Sequence, residues 1–275
     1  MSRAMVEDVE IIPQELVEQA EGAIRETLPG KSRRIYEKTL SHLLTWMRVK
    51  RTNSFSETVL LAYFRSLATT FNPSTLWSKY SMIKKMLLTD KRVDISDYHQ
   101  LTNFIRRRNV GHQKKKSHVF SAPNIQNFLF NAPDSQYLDK KVCTIFGICG
   151  ACRREELHNV TTSDVVNRGN HLIVTIPNTK THIPRVFTIN DEFCGIVKKY
   201  MKLRPSHANT DRFFLNYNNG KCYNQPIGLN KFGKMPQSIA KWLDLEDPQR
   251  YTGHSFRRTS ATLLADEGVS MTTLK

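Results

Sequence analysis

From Lys31 to Arg108 the chain reads as helix throughout. Ile35, Leu40, Leu43, Leu44 and Met47 make one apolar stripe, and Val59, Leu60, Tyr63, Phe64 and Leu67 a second. Leu76, Tyr80, Ile83, Met86 and Leu87 make a third, and Leu101, Phe104 and Ile105 a shorter fourth. Ser54, Asn72-Pro73-Ser74 and Asp94-Ile95-Ser96 supply stops and caps between them. Amphipathic helices of this length bury their stripes against one another, so the span 31–108 is expected to be a small bundle. Before it, residues 1–30 form an acidic leader. Its one amphipathic segment, Gln14 to Thr27, is either a short helix or a partly disordered stretch closed by Pro29-Gly30.

The charge of the bundle is lopsided. Arg33, Arg34, Lys38, Arg48, Lys50, Arg51, Lys79, Lys84, Lys85, Lys91 and Arg92 far outnumber the acids around them. The chain as a whole carries a formal +16. A surplus that persists over several helices suits a surface that tracks phosphates, and the expected partner is double-stranded DNA. An acidic membrane surface is the rival, but no apolar run approaches the length of a bilayer span. Residues 109–119 read as a basic linker with Gly111 and no apolar periodicity. Arg106, Arg107 and Arg108 precede Lys114, Lys115 and Lys116, giving two basic clusters. They fit a nuclear localisation signal, and equally a strap along a DNA backbone. The N-terminus has no apolar signal core. A protein of the cytosol or nucleus is expected, and the clusters favour the nucleus.

Past the linker, in 120–275, the character changes. Helices are expected over Ser121–Phe130, Gln136–Ile148, Arg153–Val160, Glu192–Leu203, Ser238–Leu243 and Ser255–Glu267. His171–Ile176 and Arg185–Ile189 are rich in β-branched residues and read as two strands joined through Pro177–Pro184. The class is α+β, with a small antiparallel sheet among helices. Five cysteines, odd in number and sparse, argue against a disulfide framework. Cys149-Gly150-Ala151-Cys152 lacks the second ligand pair that a zinc site needs, and reads as small residues packing a tight corner. No metal or cofactor is expected.

Three positions in this half carry groups suited to an anion. Arg153 opens the first, with Glu156 a helical turn on and able to orient its guanidinium. Lys180 sits at the tip of the hairpin. His254 and Arg257 are three apart at the start of a helix, with Ser255 as the expected N-cap and Phe256, Thr259, Ser260 and Leu263 facing a core. Taken singly, these are a surface ion pair, a solvated lysine and an exposed helix start.

Taken in this order, they resemble the tyrosine recombinase (phage-integrase-like) family. Gly150 to Leu157 is similar to its first box, Thr179-Lys180-Thr181 with Arg185-Val186 to its hairpin lysine, and His254 to Leu264 to its His-x-x-Arg box. The resemblance implies an N-terminal helical (SAM-like) core-binding bundle and a mainly helical catalytic domain that together clamp duplex DNA. It implies a DNA strand cut by a tyrosine without metal. Arg153 and Arg257 would neutralise the phosphate, Lys180 would protonate the leaving 5′ oxygen, and His254 would assist. Arg258 and Gly268-Val269-Ser270 look similar to recombinases of Crypton-type eukaryotic mobile elements. Self-association on DNA also follows from the resemblance.

The family's second His or Trp and its nucleophilic tyrosine lie beyond its His-x-x-Arg helix, and Lys275 comes before both. The expectation is a pocket without its nucleophile in this chain. Tyr251 precedes the helix and reads as a core or loop tyrosine. Two alternatives stand beside strand exchange: a DNA-binding protein derived from a mobile element, without chemistry, and a relative of the type IB topoisomerases.

Overall fold

The computed structural model describes residues 13–26, 30, 32–113, 115–179 and 183–267. Lys180, the hairpin candidate, and Lys114, of the second basic cluster, lie outside them. The chain divides into two compact units, Met1–Lys114 and Lys115–Lys275.

The first unit is helical. It runs α1 (Gln14–Glu26), α2 (Arg33–Val49), α3 (Glu57–Leu67), α4 (Pro73–Lys91) and α5 (His99–Asn109). Leu43, Leu60, Phe64, Ile83, Leu87 and Ile105 are fully buried where α2 to α5 meet. Each such side chain contributes about 1.5–3 kcal/mol by leaving water. Asn72 caps α4 by accepting from Thr75 N at 2.9 Å, and Pro73 follows it at the first turn. Glu57 of α3 accepts from Leu101 N at 3.0 Å, so a carboxylate meets the first turn of α5. One member of the expected stripes is corrected: Ile35 is 56% exposed. It sits only two residues into α2, on the turn ahead of the packed positions Thr39, Leu40 and Leu43.

The second unit contains α6 (Ala122–Asn131), α7 (Asp134–Cys149), α8 (Arg154–Asn159), β1 (Val165–Asn167), β2 (Leu172–Ile176), β3 (Arg185–Ile189), α9 (Asp191–Lys202), β4 (Leu215–Asn218), β5 (Lys221–Pro226), α10 (Leu229–Trp242) and α11 (Ser255–Asp266). β1, β2 and β3 form one antiparallel sheet in that order, and β4 with β5 a separate hairpin. The unit is thus mainly helical with small antiparallel sheets. Its core gathers around Phe146 of α7, whose ring meets those of Phe187, Phe213 and Phe214 at 5.2–5.9 Å. Val174 pairs with Phe187 and Ile176 with Arg185. Residues two apart on a strand share a face, so Phe187 and Arg185 project from β3 on the same side.

Two expectations for this unit are corrected. α10 begins at Leu229 rather than Ser238, because Pro236, which normally ends a helix, is buried inside it. The cap of α11 falls on His254 rather than Ser255. Ser255 N donates to Thr252 O at 2.8 Å while Ser255 Oγ accepts from Thr252 N at 2.9 Å, so the serine side chain closes the preceding turn instead. Phe256, Thr259 and Ser260 are buried as the spacing predicts.

Residues 115–120 make their bonds within this unit. His118 N donates to Arg250 O at 2.9 Å, Phe120 N donates to Thr259 Oγ1 at 3.0 Å, and the Arg258 guanidinium bonds Ser117 O.

Candidate active site

The C-terminal end of α7 is where the site is assembled, and two glycines make it possible. A Cβ on Gly147 would lie 2.7 Å from Phe256 Cβ, and one on Gly150 would lie 2.4 Å from the Phe187 ring. Gly147 therefore lets α11 approach, and Gly150 lets β3 approach. Phe256 immediately precedes Arg257, and Phe187 lies two residues after Arg185. The close packing carries both arginines to the loop that leaves α7.

That loop holds the third arginine. Ala151 has φ +45, a left-handed conformation that costs a non-glycine residue about 1–2 kcal/mol. The turn swings the chain so that Arg153 becomes the N-cap of α8. Glu156, in the first turn of α8, reaches back. Its Oε2 accepts from Arg153 N at 2.9 Å, and its Oε1 accepts from the Arg153 guanidinium at 2.8 Å. The Arg185 guanidinium donates to the same carboxylate at 2.6 Å, through Oε2, and to Gly150 O at 2.8 Å. The Arg257 guanidinium donates to Ala151 O at 3.1 Å.

Three guanidiniums thus gather around one buried carboxylate. Glu156 is 4% exposed, whereas the Arg153 and Arg185 side chains are each a third exposed. Burial first, then the charges of Arg153 and Arg185, hold Arg257 below its ordinary pKa, with Glu156 opposing them. The cluster carries more positive charge than its own protein partners neutralise. It can accept an oxyanion in the forked, charge-assisted geometry that guanidinium favours.

The two candidate arginines and Glu156 are therefore together. His254 occupies the N-cap of α11, exposed, one turn before Arg257, and its imidazole has no hydrogen-bond partner among the described residues. Arg185 was not among the residues the sequence singled out for chemistry. Only its place beside Val186 near the hairpin lysine was noticed, and its bonds depend on tertiary approach.

Tyr251 is 7% exposed, with its ring 4.6 Å from that of Phe120, and burial raises its hydroxyl pKa. It is a core residue. Burial pushes the Cys152 thiol up to about 12, consistent with a packing role. Among the described residues no group of three or more His, Cys, Asp or Glu side chains could hold a metal ion, and no helix is long and apolar enough to cross a membrane.

Of the basic candidates elsewhere, Arg106, Arg107 and Arg108 form the exposed last turn of α5, where cations complement the helix dipole. Lys84 and Lys85 are half-buried on α4, and Lys115 and Lys116 are exposed.

The tight contact at Gly147 gives a prediction. Gly147→Ala places a methyl carbon 2.7 Å from the first side-chain carbon of Phe256, which cannot rotate away. We expect a loss of about 1–3 kcal/mol in stability, read by chemical denaturation. Gly22→Ala, on a helix with nothing near the new methyl, is the control.

A buried carboxylate that bonds an arginine of a loop and an arginine of a strand, with a third arginine from a helix beside them, makes a site suited to an oxyanion, set in an α+β unit with small antiparallel sheets. Residues 119–275 match the phage integrase family model, and the chain belongs to that family. The sequence matches no curated protein. The fold is similar to that of the Tn1549 transposon integrase in complex with circular intermediate DNA, at TM-score 0.64 and 17% identity over 95% of this chain and 89% of that one. It is similar to a lambda integrase dimer bound to a COC' core site, at TM-score 0.59 and 11% identity over 92% and 89%. It is also similar to the XerH site-specific recombinase bound to difH substrate, at TM-score 0.56 and 13% identity over 78% and 60%. At these identities the likeness is one of fold.

Proposed function

We propose that this protein binds duplex DNA and holds one backbone phosphodiester at Arg153 and Arg257 for strand cleavage and rejoining through a phosphotyrosine intermediate. The observation that carries the proposal is the excess of guanidinium over carboxylate around Glu156. In the reaction the oxygen of a tyrosine other than the buried Tyr251 attacks phosphorus, and the bond from phosphorus to the 5′ oxygen breaks. The covalent phosphotyrosine keeps the bond energy, so a second strand end can reverse the step. Charge on the non-bridging oxygens grows as the pentavalent state forms, and fixed guanidiniums stabilise it without reorganising. In this reading Lys180 gives the 5′ oxygen its proton and His254 assists at the phosphate.

The reading includes duplex DNA and further copies of this chain as partners. It also includes a nuclear location and a mobile-element ancestry of Crypton type, supported by the basic clusters and by the sequence that follows Arg257. Lys84, Lys85, Arg106, Arg107, Arg108, Lys114, Lys115 and Lys116 serve in it as phosphate-tracking cations.

The test is a duplex recovered from a random-sequence pool by its binding to the protein, then incubated with it and run on a denaturing gel. A covalent protein–DNA adduct supports strand exchange. Binding without an adduct supports the DNA-binding reading without chemistry. Relaxation of a supercoiled plasmid supports the topoisomerase reading. Binding itself should weaken about 10³-fold or more between 50 and 200 mM salt if six or more phosphates are engaged. Affinity that ignores salt contradicts every one of these readings.

A further inference from the structure

We infer that Arg185 is a positioning residue for the phosphate site, acting through Glu156 on Arg153; the inference rests on the function proposed above. Four observations carry it. Its guanidinium donates to Glu156 Oε2 at 2.6 Å, while the other oxygen of that carboxylate receives Arg153 at 2.8 Å. It donates to Gly150 O at 2.8 Å, at the start of the turn that leads to Arg153. The register that pairs it with Ile176 fixes its strand position, and Phe187, on the same side of β3, is locked against Gly150. Its side chain is two-thirds covered, so it is a built contact rather than a solvated cation.

The physical consequence concerns charge as well as place. Glu156 has one negative charge and two guanidiniums to share it. If Arg185 were absent, Glu156 would be free to spend that charge on Arg153 alone. A guanidinium fully neutralised by its own carboxylate attracts a phosphate weakly. With Arg185 holding half of the carboxylate, Arg153 is oriented and still keeps charge for an anion. Arg185 also anchors Gly150, and the next residue, Ala151, accepts from Arg257. One strand residue therefore sets the loop on which both phosphate arginines depend.

The experiment is a double-mutant cycle on DNA affinity, with a duplex selected by the unaltered protein, at fixed salt and well below the melting temperature. Arg185→Met is expected to weaken binding about tenfold on its own, the scale of one lost charge-assisted hydrogen bond. In the Arg153→Ala background it is expected to cost little more, because the residue it positions is gone. Losses that simply add would overturn the inference and make Arg185 an independent contact. A lowered melting temperature with unchanged affinity would also overturn it, leaving a purely structural role. Should Arg185→Met fail to fold, Arg185→Lys carries the same cycle, since it keeps a cation but loses the fork that reaches Gly150 and Glu156 together. If Arg153→Ala and Arg257→Ala leave affinity intact, the proposed function itself is what fails. If they weaken binding and Arg185 shows no coupling, only this inference fails.

Discussion

Glu156→Gln is expected to cost the second unit about 3 kcal/mol of stability, the low end of what breaking a buried ion pair costs. The carboxylate is 4% exposed and receives two guanidiniums and one backbone N–H. Glutamine keeps one acceptor oxygen and turns the other into a donor that faces donors. Arg153, Arg185 and Arg257 are then left around a neutral group. Because Arg153 and Arg185 are each a third exposed, water screens part of the repulsion, which is why the low end applies. For a unit of this size the loss corresponds to a melting temperature lower by about 6–12 °C. Thermal denaturation followed by circular dichroism reads it directly. An unchanged transition would mean that the arginines do not depend on the carboxylate.

Arg257→Ala should behave in the opposite way. We expect duplex affinity to fall about 10- to 100-fold, the range for losing a hydrogen bond to a charged group. Stability should stay level or rise. Among the described residues the Arg257 guanidinium donates one hydrogen bond, to Ala151 O, and burial with the neighbouring cations holds its pKa down. A depressed pKa in a base means that the folded state disfavours its charged form, so at neutral pH the charge, as distinct from the packing of the stem and its hydrogen bond, works against folding. A cation set among cations, with room for an oxyanion beside it, suits binding more than folding. Calorimetric unfolding and anisotropy titration on one preparation separate the two effects. A variant that is less stable and binds as well as before would make Arg257 a structural residue.

Much of this arrangement was legible in the residues. Glu156 follows Arg153 by one helical turn, and the helix start at His254 to Arg257 is marked by the buried positions that follow it. Local periodicity governs such pairs, so spacing reveals them. Arg185 stayed hidden as a site residue because its partners are set by strand register and by the bare Cα positions of Gly147 and Gly150. A glycine in a helix announces only that a side chain is missing, and what fills the space is a tertiary fact. The corner before Arg153 was read as small residues in a tight place. Gly150 is small to admit the Phe187 ring, and the left-handed residue is Ala151.

The β4–β5 hairpin was passed over although a signal was present. Asn219-Gly220 joins the strands, with φ +46 and +78, the conformation that Asn-Gly favours at a tight hairpin turn. Its strands carry asparagines, a lysine and a proline rather than an apolar alternation, so periodicity gave no strand there. The start of α10 lies well ahead of the expected Ser238, because Pro236 sits inside the helix rather than at its edge.

The account stands on one phosphodiester meeting two guanidiniums whose charge the residues around them neutralise only in part. A structure of this protein bound to a selected duplex tests that most directly. It should show a backbone phosphate with its oxygens about 3 Å from both the Arg153 and the Arg257 guanidiniums, and Glu156 still bridging Arg153 and Arg185. A duplex held only by other cations, with no phosphate at Arg153 or Arg257, would contradict it.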